Sequence, residues 1–380
     1  MHVMHIGKYF APFKGGVENM MLALMKAQIN AGLNVSAFIH QHQIGMPFTI
    51  EERFGARIYR TPIVGKLLFV PIALLAIIHL RKALKETQPD VIHAHLPNVT
   101  CFLLLALKQA KHSPLVVHWH SDVLGEKPNR GVKLLYPIYR IFEKSLLSRA
   151  NKIIVTSENY LKISRPLKPF KQKCVVVPLG LEDKPPKSNK PNTTFNSTAL
   201  CVGRLTYYKG HRFLVEAMAK LKNASLTLTI VGDGELLSPL QHQTSLLNIE
   251  KRICFLGQVS DSALYNLIES CDFLVLPSIE RTEAFGLVLL EAMRAGKPCI
   301  CTDVPGSGMS EVVLHNKTGL VVQHANANSL ANAMEKLASD EELSTMLGLN
   351  GRERFLNHFT VSKVEALIHA LYHNVVKSTQ

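Results

Sequence analysis

Short apolar runs alternate with amphipathic stretches along the chain, and this alternation predicts strands followed by helices. In the first half, strands are expected at residues 1–7, 33–40, 91–95, 115–120 and 153–157. Helices are expected between them, because apolar positions recur there every three or four residues. Repeated strand–helix units favour parallel pairing, so we predict an α/β fold with doubly wound sheets.

The longest apolar run of the chain, LLFVPIALLAIIHL, opens a helix predicted at residues 67–86. A run of this length with an internal proline is too short to span a bilayer, which takes about 20 residues. We expect a helix that packs on the core, and a helix lying on a membrane surface is the alternative.

The second half repeats the alternation, and the two halves are separated by a segment rich in Pro, Asn, Ser and Lys, EDKPPKSNKPNTTFNS. Such a composition is typical of a linker. We therefore predict four parts: a domain at 1–181, a linker at 182–197, a domain at 198–360, and a final helix at 361–380 that returns to the first domain.

The densest candidate chemistry lies in residues 277–298, PSIERTEAFGLVLLEAMRAGKP, where a polar loop follows an apolar strand. A helical pattern begins near Phe285, and Gly286 leaves room at its N-terminus, where backbone N–H groups favour anions. Glu283 and Glu291 are separated by about 12 Å of helix axis if the stretch is helical, which is the reach of a nucleotide diphosphate. We predict a site for sugar, phosphate and ribose; an acidic helix start with one solvated glutamate is the alternative.

The loop at 203–210, GRLTYYKG, also follows a predicted strand and precedes a helix. Arg204 and Lys209 on this glycine-bounded loop suit a diphosphate, since both cations bind phosphate oxygens. Ordinary exposed charges are the alternative interpretation.

Ligands of doubly wound sheets bind at the carboxyl ends of the strands. In the first half these ends carry Gly15-Gly16, His95, His120 and Ser157. The glycine pair begins a helix and would let a phosphate or acceptor approach closely, or it forms only a tight turn. His120 ends a strand in the stretch HWHSD, and we expect it to face a substrate.

The histidines of the two neighbouring strands do not predict a metal centre. His93, His95, His118 and His120 have no cysteine or carboxylate at the spacing of a metal site, so no metal ligands are assigned.

The net charge of +14 is concentrated in the first half, where residues 1–180 hold 24 Lys and Arg against 9 Asp and Glu. Residues 127–152 combine seven of these cations with aromatic and aliphatic side chains. A basic amphipathic segment favours an anionic membrane surface. Nucleic acid is a rival partner, but no nucleic-acid module is present, and a solvated helix face is the third possibility.

The seven cysteines are scattered without a CxxC pair, which favours a reducing compartment. His2, His5 and Lys8 interrupt the start, so it predicts a strand and not a signal peptide. We therefore expect a cytoplasmic protein, peripheral on the inner face of the cytoplasmic membrane.

Several spaced motifs occur in one order along the chain: Gly203-Arg204-x4-Lys209-Gly210, Val231-Gly232-Asp233-Gly234, Phe255-Leu256-Gly257 and Glu283-Ala284-Phe285-Gly286-x4-Glu291. With them the chain resembles glycosyltransferase family 4, whose members are retaining enzymes of the GT-B fold. That fold consists of two Rossmann-like domains facing across a cleft. The stretch HWHSDV and Pro178-Leu179-Gly180 are most similar to bacterial mannosyl- and rhamnosyltransferases of surface polysaccharide assembly.

The resemblance implies roles for the matching residues. Arg204 and Lys209 would hold the donor diphosphate, Glu291 the ribose, and Glu283 the transferred sugar. Other implied contacts are the amides of Phe285, Gly286 and Leu287 to the sugar, His120 to the sugar, Gly15 and Gly16 to phosphate and acceptor, and Gln258 and Val259 to the base.

The implied reaction moves a hexose, with mannose expected first, from a nucleotide-sugar to a lipid-linked or polysaccharide acceptor in lipopolysaccharide-type glycan synthesis. Configuration would be retained, no cofactor or metal would be needed, and GDP-mannose is the expected donor. A UDP-sugar-dependent transferase and a non-catalytic sugar-nucleotide binder are the alternatives.

Overall fold

The computed structural model describes residues 1–13, 15–67, 70–123, 130–185 and 197–378. The chain divides into two compact units: unit 1 contains Met1–Glu182 and Val361–Gln380, and unit 2 contains Asp183–Thr360. Most of the predicted linker, residues 186–196, and the start of the predicted basic segment, 127–129, lie outside the described residues.

Unit 1 contains an eight-stranded sheet and a small hairpin. The strands are β1 (His2–Ile6), β2 (Asn34–His40), β3 (Thr49–Arg53), β4 (Ala56–Thr61), β5 (Gly65–Leu67), β6 (Val70–Ile72), β7 (Val91–Leu96), β8 (Leu115–Trp119), β9 (Lys152–Val155) and β10 (Cys174–Val176). The sheet order is β10-β9-β8-β7-β1-β2-β4-β3, and β5 pairs only with β6. Within the sheet, β3 is antiparallel to β4 and the other pairs are parallel.

The helices of unit 1 lie between these strands and at the end of the chain. They are α1 (Gly16–Asn30), α2 (Ala76–Thr87), α3 (Lys108–Lys111), α4 (Arg130–Arg149), α5 (Glu158–Ile163) and α13 (Val361–Lys377), with 3₁₀ helices at Val99–Leu105 and Lys168–Lys173. The helix α13 packs against α1. Its apolar face, which includes Val364, Ile368 and Val375, is buried, so the last segment of the chain completes the core of unit 1.

The helix predicted at 67–86 is confirmed from Ala76 onward, but its predicted start is wrong. The chain forms the hairpin β5–β6 first, and α2 begins only at Ala76. Pro71 has no N–H to donate and disfavours a helical residue before it, so a helix interior at this point is energetically unfavourable. An apolar run alone does not separate these outcomes.

Unit 2 contains six parallel strands. They are β11 (Thr198–Val202), β12 (Thr227–Val231), β13 (Ile253–Gly257), β14 (Phe273–Leu276), β15 (Cys299–Thr302) and β16 (Gly319–Val322). The sheet order is β13-β12-β11-β14-β15-β16. This is the strand order of a Rossmann fold, in which the chain direction across the sheet reverses between β11 and β14.

Helices accompany the strands of unit 2. They are α6 (His211–Lys220), α7 (Leu237–Leu246), α8 (Asp261–Ser270), α9 (Leu287–Arg294), α10 (Met309–Val312), α11 (Ala327–Ser339) and α12 (Glu341–His358), with 3₁₀ helices at Tyr207–Lys209 and Glu250–Arg252. The predicted α/β class with parallel, doubly wound sheets is confirmed. The strand β14, which the apolar run FLVL predicts, is fully buried.

The contribution of α13 to unit 1 is testable with two neighbouring residues. Ile368 is fully buried whereas Leu367 is 53% exposed. We expect Ile368→Ala to lower the free energy of unfolding by about 2–5 kcal/mol and Leu367→Ala to change it by less than about 0.5 kcal/mol. Urea unfolding followed by fluorescence reports on unit 1 directly, because Trp119 of β8 is the single tryptophan. Equal effects of the two substitutions would contradict the packing of α13.

Candidate functional site

Two loops of unit 2 contact each other at the switch point of the sheet, between β11 and β14, where the order in which the chain adds strands reverses. They are residues 203–210, after β11, and 277–286, after β14, and the two strands are parallel neighbours. The backbone N–H of Ile279 donates to the carbonyl of Tyr208 at 2.8 Å. Gly210 has φ +70°, and a β-carbon there would lie 2.1 Å from the Pro277 carbonyl oxygen. Only glycine therefore allows this close approach of the two backbones.

Across this junction, Lys209 Nζ forms an ion pair with Glu283 Oε2, and both side chains are nearly buried, at 13% and 12% exposure. The hydroxyl of Ser278 donates to the same carboxylate oxygen at 3.3 Å. Burial by itself lowers the pKa of Lys209, but the negative charge of Glu283 outweighs it, so the pKa is raised above the ordinary lysine value. The cation is therefore present at neutral pH.

A third loop, which follows β15, supports the backbone around Glu283. The Ser307 hydroxyl donates to the carbonyl of Glu283, and the Gly308 N–H donates to the carbonyl of Ala284 at 2.8 Å. The Thr302 hydroxyl donates to the carbonyl of Ser278. Sequence analysis missed this support. The run PGSG at 305–308 was its only local signal, because the contacts depend on the pairing of β15 with β14.

The helix α9 begins directly after this loop. Gly286, at φ +81°, is its N-cap, and no side chain among the described residues caps the first turn. A β-carbon at 286 would lie 2.9 Å from both Leu276 and Leu289 side chains. The ring of Phe285 is buried against Phe359, and Leu287 is the first residue of the helix.

The other predicted residues of unit 2 lie on loops at the same sheet edge, except Glu291, which lies on a helix. Arg204 is exposed directly after β11, and Gln258 and Val259 follow β13, exposed and half-buried respectively. Glu291 lies within α9, where burial raises the pKa of its carboxyl. Gly203 allows Lys209 to lie over the backbone, since a β-carbon at 203 would be 3.1 Å from Lys209 Nζ.

In unit 1, the glycine pair stands at the start of α1. Gly15 is the N-cap residue and Gly16 is the first helical residue. A β-carbon at 15 would lie 2.3 Å from Glu18 Oε2, so the carboxylate of Glu18 approaches the backbone where sequence analysis expects a phosphate. Burial raises the pKa of Glu18. Ser157 has a structural role instead, because its hydroxyl accepts the N–H of Tyr160 and caps α5.

Five buried histidines on β1, β7 and β8 and directly after β8 form two hydrogen-bonded chains. In the first, His5 Nδ1 bonds to His95 Nε2 and His95 Nδ1 bonds to His120 Nε2, both at 3.0 Å. In the second, His93 Nε2 bonds to His118 Nδ1 at 3.2 Å. The parallel register places His5 opposite His93 and His95 opposite His118. Each hydrogen bond runs diagonally, to the histidine two positions beyond the aligned residue of the neighbouring strand.

One buried glutamine joins the two chains. Gln28 of α1 faces His5 Nε2 with its amide oxygen at 2.7 Å, and its amide nitrogen donates to the Tyr372 hydroxyl of α13 at 3.1 Å. The same hydroxyl contacts His93 Nδ1. At the opposite ends, His118 Nε2 and His120 Nδ1 are buried without a partner among the described residues.

These histidines are neutral at physiological pH. Burial lowers the pKa of His5 to about 4 and that of His120 to about 3, and it holds the pKa values of His93, His95 and His118 well below the ordinary value. They can therefore offer hydrogen bonds but no positive charge.

Two sets of three histidines bring ring nitrogens within 4.8 Å: His5, His93 and His95, and His95, His118 and His120. Successive rings in the chains lie within 24° of one plane, and their nitrogens face each other at hydrogen-bond distance. Metal ligands instead direct their lone pairs to one common point. The observed geometry therefore fits hydrogen-bonded chains better than a metal site.

Each unit matches a glycosyltransferase family model. Residues 14–184 match "Glycosyltransferase Family 4", and residues 182–354 match "Glycosyl transferases group 1". Within the described residues, no helix combines the length and apolar character needed to cross a bilayer.

Whole-length relatives agree with the two models. The chain is 29% identical to O-antigen chain mannosyltransferase C of Escherichia coli, with 100% of both chains covered. It is 28% identical to D-rhamnosyltransferase WbpZ of Pseudomonas aeruginosa, over 95% of this chain and 92% of the relative. The structure of Anabaena Alr3699/HepE in complex with UDP superposes with a TM-score of 0.74 at 18% identity, over 98% of this chain and 100% of that one. The chain therefore belongs to the family 4 glycosyltransferases, with the two Rossmann-like domains of the GT-B fold.

Proposed function

We propose that this glycosyltransferase moves mannose, or a related hexose, from a nucleotide-sugar to a lipid-linked or polysaccharide acceptor in cell-surface glycan synthesis of the O-antigen type. GDP-mannose is the proposed donor. The similarity to an O-antigen mannosyltransferase along the whole chain supports this assignment, and the similarity to a D-rhamnosyltransferase is consistent with a related hexose.

The observation that carries the proposal is the junction of the two loops at the switch point of the unit 2 sheet. Ligands of Rossmann folds bind outside the carboxyl ends of the strands at this point. Here the junction holds the Lys209–Glu283 pair, with exposed Arg204 on the same loop and the start of α9 at its other end. Two cations and a helix N-terminus are the groups that stabilise a departing diphosphate.

We propose the remaining roles from the resemblance to the family. Glu283 and the N–H groups of Phe285, Gly286 and Leu287 bind the transferred sugar, and Glu291 binds the ribose. The base lies near Gln258 and Val259, while His120 contacts the sugar and Gly15 and Gly16 give access to phosphate and acceptor.

Arg204, Lys209 and the dipole of α9 stabilise the negative charge that develops on the leaving diphosphate. We therefore propose that no metal is needed. The leaving phosphate takes the proton of the acceptor hydroxyl on the same face of the sugar. The anomeric configuration is therefore retained without a protein nucleophile.

A second part of the proposal is that α4 docks on the inner face of the cytoplasmic membrane. Its exposed face carries the large apolar side chains Leu134, Leu135, Ile138, Ile141 and Phe142. Arg130, Lys133 and Lys144 are exposed on the same helix. Apolar residues flanked by cations bind the boundary between headgroups and acyl chains of an anionic bilayer, where a lipid-linked acceptor resides.

Transfer assays with membrane lipids as acceptor test the reaction. We expect incorporation of mannose from GDP-mannose, undiminished by EDTA because cations of the chain take the place of a metal. The anomeric configuration of the product, measured by NMR, should match that of the donor. Incorporation from UDP-sugars alone would replace the donor assignment. Loss of transfer in EDTA would contradict metal independence. Binding of donors without transfer to any acceptor would contradict the proposed transferase activity.

Substitution of the two cations tests the site. Arg204→Ala and Lys209→Gln should each lower kcat/KM by about 10²–10³-fold, since each removes a charged contact to the leaving diphosphate. Arg212→Ala and Lys220→Ala remove exposed cations of α6 and should leave kcat/KM within about twofold of the unmodified enzyme. Thermal unfolding of each variant controls for loss of fold. Full activity of folded Arg204→Ala and Lys209→Gln would show that the donor binds elsewhere.

Co-sedimentation with vesicles tests the membrane face. The double variant Ile138→Ser/Ile141→Ser should bind vesicles containing phosphatidylglycerol at least about tenfold more weakly, because two apolar side chains that would enter the bilayer are lost. Leu246→Ser, on α7 of unit 2 and 70% exposed, is the control. Binding that survives the double variant, or that does not weaken with added salt, would contradict docking through α4.

A further inference from the structure

The amide of Gln28 has two chemically different ends, and each heads one histidine chain. Its oxygen can only accept a hydrogen bond and its nitrogen can only donate one. Gln28 and Tyr372 are both fully buried, and the five histidines are neutral, so each imidazole carries a single proton. Under these conditions the hydrogen bonds of each chain have one direction.

In the first chain, the Gln28 oxygen requires a proton on His5 Nε2. His5 Nδ1 is then an acceptor, so His95 donates to it from Nε2. His95 Nδ1 is an acceptor in turn, and His120 donates to it from Nε2. The chain therefore ends in an unprotonated His120 Nδ1.

In the second chain, the Gln28 nitrogen donates to the Tyr372 oxygen, so the hydroxyl proton of Tyr372 is directed at His93 Nδ1. His93 then donates from Nε2 to His118 Nδ1. This chain ends in a protonated His118 Nε2. A half-turn of the Gln28 amide would reverse both chains together, so the two ends have opposite polarity in either orientation.

We propose that Gln28 is a positioning residue which sets the tautomers of both chains, so that His120 Nδ1 accepts and His118 Nε2 donates a hydrogen bond to a hydroxyl-bearing ligand. The two rings lie 4.3 Å apart between centroids, and both end atoms are buried without a partner among the described residues. A buried polar atom gains most from a ligand that satisfies it. A sugar hydroxyl both donates and accepts, and is of the right chemistry for this pair. The identity of the ligand as the transferred sugar rests on the function proposed above.

The tautomers are measurable without substrate. ¹⁵N NMR of the imidazoles distinguishes a protonated from an unprotonated ring nitrogen, and we expect all five histidines to carry the proton on Nε2. His40 provides an internal reference of the opposite kind, because its Nδ1 faces the Lys8 carbonyl at 2.7 Å and must donate. A proton on Nδ1 of His120 in the unmodified protein would overturn the assignment.

Two substitutions test whether Gln28 sets the polarity. Gln28→Met removes both ends of the amide, and His120 and His118 should each become a mixture of tautomers. Tyr372→Phe removes the head of the second chain only, so His93 and His118 should become mixed while His120 stays unchanged. Gln41→Met is the matched control, because Gln41 is a buried glutamine of unit 1 bonded to Pro47 and Thr49. Unchanged tautomers in Gln28→Met would overturn the proposal.

Activity separates this proposal from the one on which it rests. Gln28→Met should lower kcat/KM for sugar transfer by about tenfold, the equivalent of one hydrogen bond lost in the transition state, while Gln41→Met leaves it unchanged. Mixed tautomers with undiminished kcat/KM would overturn the positioning role. Full activity of His120→Ala would instead contradict the proposed contact between His120 and the sugar. The NMR measurement would still decide whether Gln28 sets the tautomers of the two chains.

Discussion

The ion pair between Lys209 and Glu283 is the contact that holds the loops of unit 2 in place. Both side chains are nearly buried, and removing one partner from a buried pair typically costs about 3–5 kcal/mol because the other charge is left uncompensated. The pair exists only because the backbones around it approach closely, through Gly210 against the Pro277 carbonyl and Ser307 against the Glu283 carbonyl. The ion pair, Gly210 and the Ser307 hydroxyl thus depend on one another at the switch point of the sheet.

Most strands of the two sheets could be predicted from the sequence because parallel strands buried on both faces appear as short apolar runs, as FLVL does for β14. The strand β3 was not predicted, since it is antiparallel, partly exposed and rich in charged residues. Lys209 and Glu283 could also be singled out from their positions after strands, as candidates for a site. Their pairing could not, because it follows from β11 and β14 lying side by side, and the order of strands in the sheet is not a local property of the chain. The antiparallel pairing of β5 with β6 was missed for a different reason. An apolar run with a proline has no period that separates strand from helix.

The histidine chains show the same limit of prediction from sequence more clearly. His95 and His120 were predicted as strand-end candidates one by one, and His93 and His118 were considered only as metal ligands. Their coupling depends on Gln28 and Tyr372, which are 344 residues apart in sequence and meet because α13 packs on α1. Nothing local to either residue marks it as a partner of histidines. Long-range packing here turns single polar residues into a directed network.

One physical rule explains why the Lys209–Glu283 pair of unit 2 is charged while the histidine chains of unit 1 are neutral. A buried group keeps its charge only where an opposite charge compensates for the lost water. Lys209 has Glu283, so its pKa is raised and it stays a cation. The five histidines hydrogen-bond to each other, to an amide and to a phenol, and burial lowers their pKa values. The pair in unit 2 can therefore supply charge to a diphosphate, while the histidine chains of unit 1 supply only directed hydrogen bonds. For a neutral sugar hydroxyl the second kind of contact is the more selective, because a wrong tautomer leaves a buried group unsatisfied, whereas a charge attracts any anion.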